Sequence, residues 1–101
     1  MPTYFAGWIL GTSPVPSIRF GTGFSIARGG PVGSYRITIP ATATGRFMAP
    51  LVSPVAANVT ARVAAYYKSG TDLSHTIDIE IRDLTGALVD SDFIFHALDR
   101  S

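Results

Sequence analysis

Proline stands at positions 2, 14, 16, 31, 40, 50 and 54, and ten glycines are spread along the chain. This punctuation leaves no stretch of ordinary helix length free of breakers before residues 55–69. Proline removes a donor from a helix interior, and glycine has the largest entropy cost there. Between the breakers, apolar residues recur at every second position, the period of a strand with one buried face. In TIDIEIRD, Ile77, Ile79 and Ile81 alternate with Asp78, Glu80 and Arg82. In SYRITI, Tyr35, Ile37 and Ile39 alternate with Arg36 and Thr38, and in GFSIAR Phe24 and Ile26 alternate with Ser25 and Ala27. DSDFIFHAL sets Phe93, Phe95 and Ala97 against Ile94, His96 and Leu98, so both faces of that strand are expected to be covered.

The window at 55–69, VAANVTARVAAYYKS, is ambiguous. Its alanines permit helix, while Val59, Thr60, Val63, Tyr66 and Tyr67 prefer strand. Read as a strand, it puts Val59, Ala61, Val63, Ala65 and Tyr67 on one face and Asn58, Thr60, Arg62, Ala64 and Tyr66 on the other; a helix is the alternative. Pro50 and Pro54 mark the strand between them as broken, bulged or at an edge. Turn clusters at 21–23, 29–31, 68–72 and 83–86 separate the runs. The expected fold is all-β: a small antiparallel, jelly-roll-like β-sandwich. The 101 residues make one domain, with 1–16 as an N-terminal segment available to an interface and 17–101 as the sandwich core.

The stretch RFGTGFSIARGG, residues 19–30, invites a phosphate-loop reading. Such a loop follows a buried strand and opens a helix. Here Gly21 and Gly23 lead into FSIAR, and Gly29 and Gly30 into Pro31 and SYRITI, both strand-like. The glycines therefore read as turn residues between antiparallel strands, with Arg28 and Arg36 on solvent-facing positions.

Charged residues make up 15% of the chain, against about 25% on average. So uncharged a surface is expected to be rich in small polar residues and partly covered by another chain. The net charge is +1 and the arginines are scattered, which argues against nucleic acid. Without cysteine there is no disulfide, thiolate metal site or cysteine nucleophile. The apolar run from Tyr4 to Leu10 is too short for a membrane span and has no basic region before it, so neither membrane insertion nor a signal peptide is expected.

Candidate chemistry is sparse. A metal would need His75 and His96 with Asp72, Asp90 or Asp92, and their spacing forms no local motif. Ser74 and His75 are adjacent but lack a nucleophile elbow. Asp90 and Asp92 share a strand face, as a paired-carboxylate site would, but acidic residues entering a strand after a turn are more often solvated or bound to loop amides. No enzyme, metal or cofactor is expected. The candidate ligand and interface residues are Trp8, Tyr66, Asn58, Arg62, Ile94 and Leu98. Trp8 suits either an interface between chains or packing on its own chain.

Residues 21 to about 98 carry GTGFSI, GSYRITIP, VTARVAAYY and IDIEIRDLTGALVDSDFIFHAL in order. This series resembles a small β module of phage tail-fibre and tail-spike proteins. It is more distantly similar to the trimeric heads of complement-type and tumour-necrosis-factor-like domains. The most specific part is the strand, the turn from Asp83 to Gly86, and VDSDF before the last strand. The resemblance implies a homotrimer in a virion or outside a cell, with no catalytic residue. The chain departs from the fibre context in carrying no stalk or collagen-like run, which fits an excised tip or a free-standing protein. Two functions are therefore expected: a trimeric structural or attachment module of a viral tail fibre, which also binds host-surface glycans, or a stand-alone lectin-like carbohydrate-binding protein.

Overall fold

The computed structural model describes residues 4–12, 14–30, 32–40, 48–69 and 74–99. These residues form eight strands and no helix: β1 (Tyr4–Leu10), β2 (Ser17–Phe20), β3 (Ser25–Arg28), β4 (Ser34–Ile39), β5 (Met48–Pro54), β6 (Val59–Lys68), β7 (His75–Asp83) and β8 (Phe93–Asp99). They lie in two antiparallel four-stranded sheets, one ordered β2-β1-β8-β5 and the other β3-β4-β7-β6. This is an antiparallel β-sandwich. The path is rich in hairpins: β1–β2, β3–β4 and β6–β7 each pair within one sheet.

The core lies between the sheets and consists of the apolar positions of the period-two runs. Tyr35, Ile37, Ile39, Ile77, Ile79 and Ile81 come from one sheet, and Ile9, Phe93, Phe95 and Ala97 from the other. Each is at most 1% exposed. Gly7 faces Phe95 across the β1–β8 ladder, where a Cβ would overlap the Phe24 ring. The absent side chain lets Phe24 pack edge-on against Phe95, with ring centroids 4.6 Å apart. A strand glycine here marks a close approach in the core.

Four sequence expectations change against this architecture. The N-terminal segment is no appendage: β1 pairs with both β2 and β8 and gives Ile9 to the core. Its apolar run lacks a period-two signature because an inner strand of an uncharged sheet has apolar residues on both faces. Gly21 and Gly23 have positive φ (119° and 90°), but the turn they form carries the chain from β2 in one sheet to β3 in the other. The second glycine pair does belong to a hairpin, β3–β4, where Gly29 N donates to Ser34 O at 3.0 Å. Arg28 shares its strand face with Ile26 and sits directly opposite the buried Tyr35, and its side chain is only 24% exposed.

The fourth change is in β6. The 55–69 window is a strand, yet its register with β7 slips between Val63 and Ala65. The extra residue, Ala64, is a β-bulge that reverses the alternation after it. Val59, Ala61, Val63 and Tyr66 pack toward the core, whereas Ala65 and Tyr67 are exposed. β5, with Pro50 and Pro54, is an edge strand as the prolines imply. The 68–72 turn falls outside the described residues from position 70 onward, as does Asp72.

Candidate functional site: two unlike outer faces

The sandwich presents two outer faces of opposite chemistry. On the β2-β1-β8-β5 sheet, the outward positions are Phe20, Trp8, Ala6, Ile94, His96, Leu98, Ala49 and Leu51. Leu51 is 67% exposed, Phe20 57% and Leu98 42%. Trp8 sits directly opposite Ile94, with the Phe20 ring edge-on at 5.8 Å and the Arg19 guanidinium 4.8 Å above the indole. Among the described residues the buried indole Nε1 has no hydrogen-bond partner. Leaving a buried donor unmet is costly, so the indole is held there by packing and by the cation over its face.

The outer face of the β3-β4-β7-β6 sheet is a ladder of charge. The Arg36 guanidinium donates to both Asp78 oxygens, through Nε at 2.8 Å and Nη2 at 3.3 Å. Arg62 donates to Glu80 Oε1 from Nε at 3.0 Å, and its Nη2 lies 2.8 Å from the same oxygen. Arg82 reaches that oxygen at 3.5 Å. Asp78 and then Tyr67 raise the Arg36 pKa, and Arg62 holds the Glu80 carboxyl below its ordinary value. Where the bulge at Ala64 lifts the edge strand, a depression of about 190 Å³ opens between the ion pairs.

A second polar cluster joins β3 and β4 to the segment before β8. Asp90 accepts two hydrogen bonds from Arg28 (2.7 and 2.9 Å), one from the Gly33 amide (2.9 Å) and one from the Tyr35 hydroxyl (3.0 Å). That hydroxyl also lies 2.7 Å from the Gly11 carbonyl and accepts from the Ser91 amide at 3.3 Å. Arg28 Nε donates to the Pro14 carbonyl at 3.0 Å. The Arg28 hydrogen bond, first of several, holds the Asp90 carboxyl below its usual range. Burial, first, and the Asp90 hydrogen bond push the Tyr35 phenol up to about 12. Asp92 accepts from the Gly11 amide at 3.0 Å. Both carboxylates thus bind arginine or loop amides and tie β3, β4 and β8 together.

The six candidate residues do not converge. Trp8, Ile94 and Leu98 share the apolar face. Arg62 belongs to the charged face, and Asn58 is exposed in the turn before β6. Tyr66 is turned inward by the bulge, and its hydroxyl lies 2.9 Å from Nδ1 of the buried His75. His75 and His96 lie in different sheets, and no metal-holding cluster occurs among the described residues. The sequence reading missed the Arg28–Asp90–Tyr35 cluster, whose members are 55 and 62 residues apart in their pairings. It also missed the depression, because the bulge leaves no local signal. No family model, curated protein or solved structure matches this chain.

Proposed function

We propose that the protein is a non-enzymatic structural and attachment module that assembles as a homotrimer within a viral or virus-like tail fibre. The observation that carries the reading is the apolar outer face centred on Trp8, Ile94, Leu98 and Leu51. Contiguous apolar surface of this kind on a soluble sandwich marks an interaction site. A second copy of the chain is the occupant that suits it, since the opposing surface would offer the same apolar Ile94, Leu98 and Leu51. Covering the exposed parts of Phe20, Leu51 and Leu98 contributes about 2.5–5 kcal/mol per chain. Association costs about 4–15 kcal/mol, so Trp8, Ile94 and the small residues between them must also pack. Three-fold closure rather than a face-to-face pair follows from the resemblance to trimeric fibre modules, and a closed ring avoids open polymers.

Sedimentation equilibrium of the intact chain at micromolar concentration tests this. The expected mass is three times that of one chain, and Leu98→Arg is expected to yield monomer of unchanged far-ultraviolet dichroism. A monomeric or dimeric intact chain would defeat the trimer.

A further inference from the structure

The charged face carries features that self-assembly through the opposite sheet does not use. The depression is lined by Gly29, Ser34, Ala64, Ala65, Asp78 and Glu80. Tyr35 and Ile79 line it too, and Asp78 and Glu80 bring the Arg36 and Arg62 ion pairs to its rim. Its volume of about 190 Å³ is that of a few water molecules, too small for an extended peptide and suited to one six-membered ring. Two positions along β6 from Ala65, on the same face, Tyr67 is 46% exposed. It offers an aromatic ring beside the depression.

The chemistry of the rim is selective. Both carboxylates already face guanidinium groups, so the site has no uncompensated negative charge for a cation. What it has in surplus is hydrogen-bonding capacity. All contacts to Glu80 among the described residues fall on Oε1, leaving Oε2 as an acceptor. Each guanidinium has five N–H donors in a fixed fork, more than its carboxylate partner takes. The side chains of Asp78 and Glu80 are only 26% and 22% exposed, so they are held rigidly at the rim. A neutral ligand whose adjacent hydroxyls both donate and accept matches this set, and an apolar ring face beside Tyr67 completes it.

We infer that the depression between Ala64, Asp78 and Glu80 binds a neutral hexopyranose, the terminal sugar of a surface glycan. The inference deepens the attachment reading above and rests on it for the source of the sugar. Pre-formed ion pairs cost little reorganisation, but one shallow subsite supplies few contacts, so binding is weak for one chain and gains through multiple copies.

The test is a titration of the ¹⁵N-labelled full chain with glucose, galactose, mannose and N-acetylglucosamine, each separately. At least one sugar is expected to shift the amides of Ala64, Ala65, Asp78 and Glu80 with a Kd of about 1–20 mM. Glu80→Gln and Tyr67→Ala are each expected to weaken that binding about tenfold or more, and Ala65→Phe, which fills the depression, to abolish it. Leu98→Arg, on the other sheet, is expected to bind the sugar unchanged whatever its mass. Loss of the trimer with retained sugar binding therefore counts against the assembly alone. The inference is overturned if none of the four sugars shifts these amides at about 100 mM, or if the shifts survive Ala65→Phe.

Discussion

Asp90 accepts from Arg28, Gly33 and Tyr35 at once, and its behaviour with pH follows from that. Its folded pKa lies below the unfolded value, so the stabilisation is complete above about 3.9 and is lost as pH falls through the folded value. Asp90→Asn is expected to cost about 2 kcal/mol at neutral pH, and urea unfolding should show the gap to the parent narrowing as pH falls below about 3.9. Tyr35 works in the opposite direction. Its phenol is raised to about 12, so folding stability is complete below the unfolded value near 10 and declines as pH rises from there. Alkaline titration followed by tyrosinate absorbance should show one late-ionising phenol coupled to unfolding, absent in Tyr35→Phe. That variant also loses the hydroxyl's bonds to Gly11 and Ser91, a cost of about 1–2 kcal/mol seen as a lower urea midpoint at neutral pH.

Among the elements, β6 shows how one residue sets what a strand presents. Before the bulge, odd-numbered residues face the core; after it, even-numbered residues do. Removing Ala64 would close the ladder on its existing pairs, Val63 with Ile79 and Ala65 with Asp78, leaving Ala65 and Tyr67 outward and Tyr66 beside His75. Tyr66 and the His75 ring are parallel, with centroids 6.0 Å apart. The deletion is expected to keep the fold and to change the unfolding free energy by no more than about 1 kcal/mol, read as a small shift of the urea midpoint. It should also erase the depression, which the bulge creates. Elsewhere, the β7–β8 connection is built on Asp83, whose carboxylate accepts from Thr85 N (2.9 Å), Thr85 Oγ1 (2.6 Å) and Ala87 N (3.1 Å), with Gly86 at φ 92°. That Asp-x-x-Gly turn was plain in the sequence because all of its interactions are local.

For the whole molecule, the telling property is the contrast between an apolar outer face and a charged one. Of the 15 charged residues in the chain, Arg36, Arg62, Asp78, Glu80 and Arg82 lie on the outer face of one sheet. Leu51 is the sharpest probe of the other, because it is 67% exposed on an edge strand and contributes little to the core. Leu51→Lys is expected to change the unfolding free energy of a single chain by less than about 0.5 kcal/mol, while shifting the sedimenting mass toward monomer. A variant that keeps the mass of the parent would remove β5 from the assembly surface.

The period-two runs, the scattered prolines and the Asp83–Gly86 turn determined without help that the chain is all-β and which residues of β4 and β7 are buried, and they narrowed the strand with two prolines to one that is broken, bulged or at an edge. These are local properties, written in neighbours two to four positions apart. Tertiary structure alone decided the rest. β1 reads as a featureless apolar run until two other strands flank it. Arg28 looks solvent-facing until Asp90, 62 residues away, arrives at its guanidinium. The phase of β6 depends on a bulge that only pairing with β7 reveals. Both outer faces, and hence the candidate sites, are sums over three or four strands brought together by long-range pairing, so no single stretch of sequence contains them.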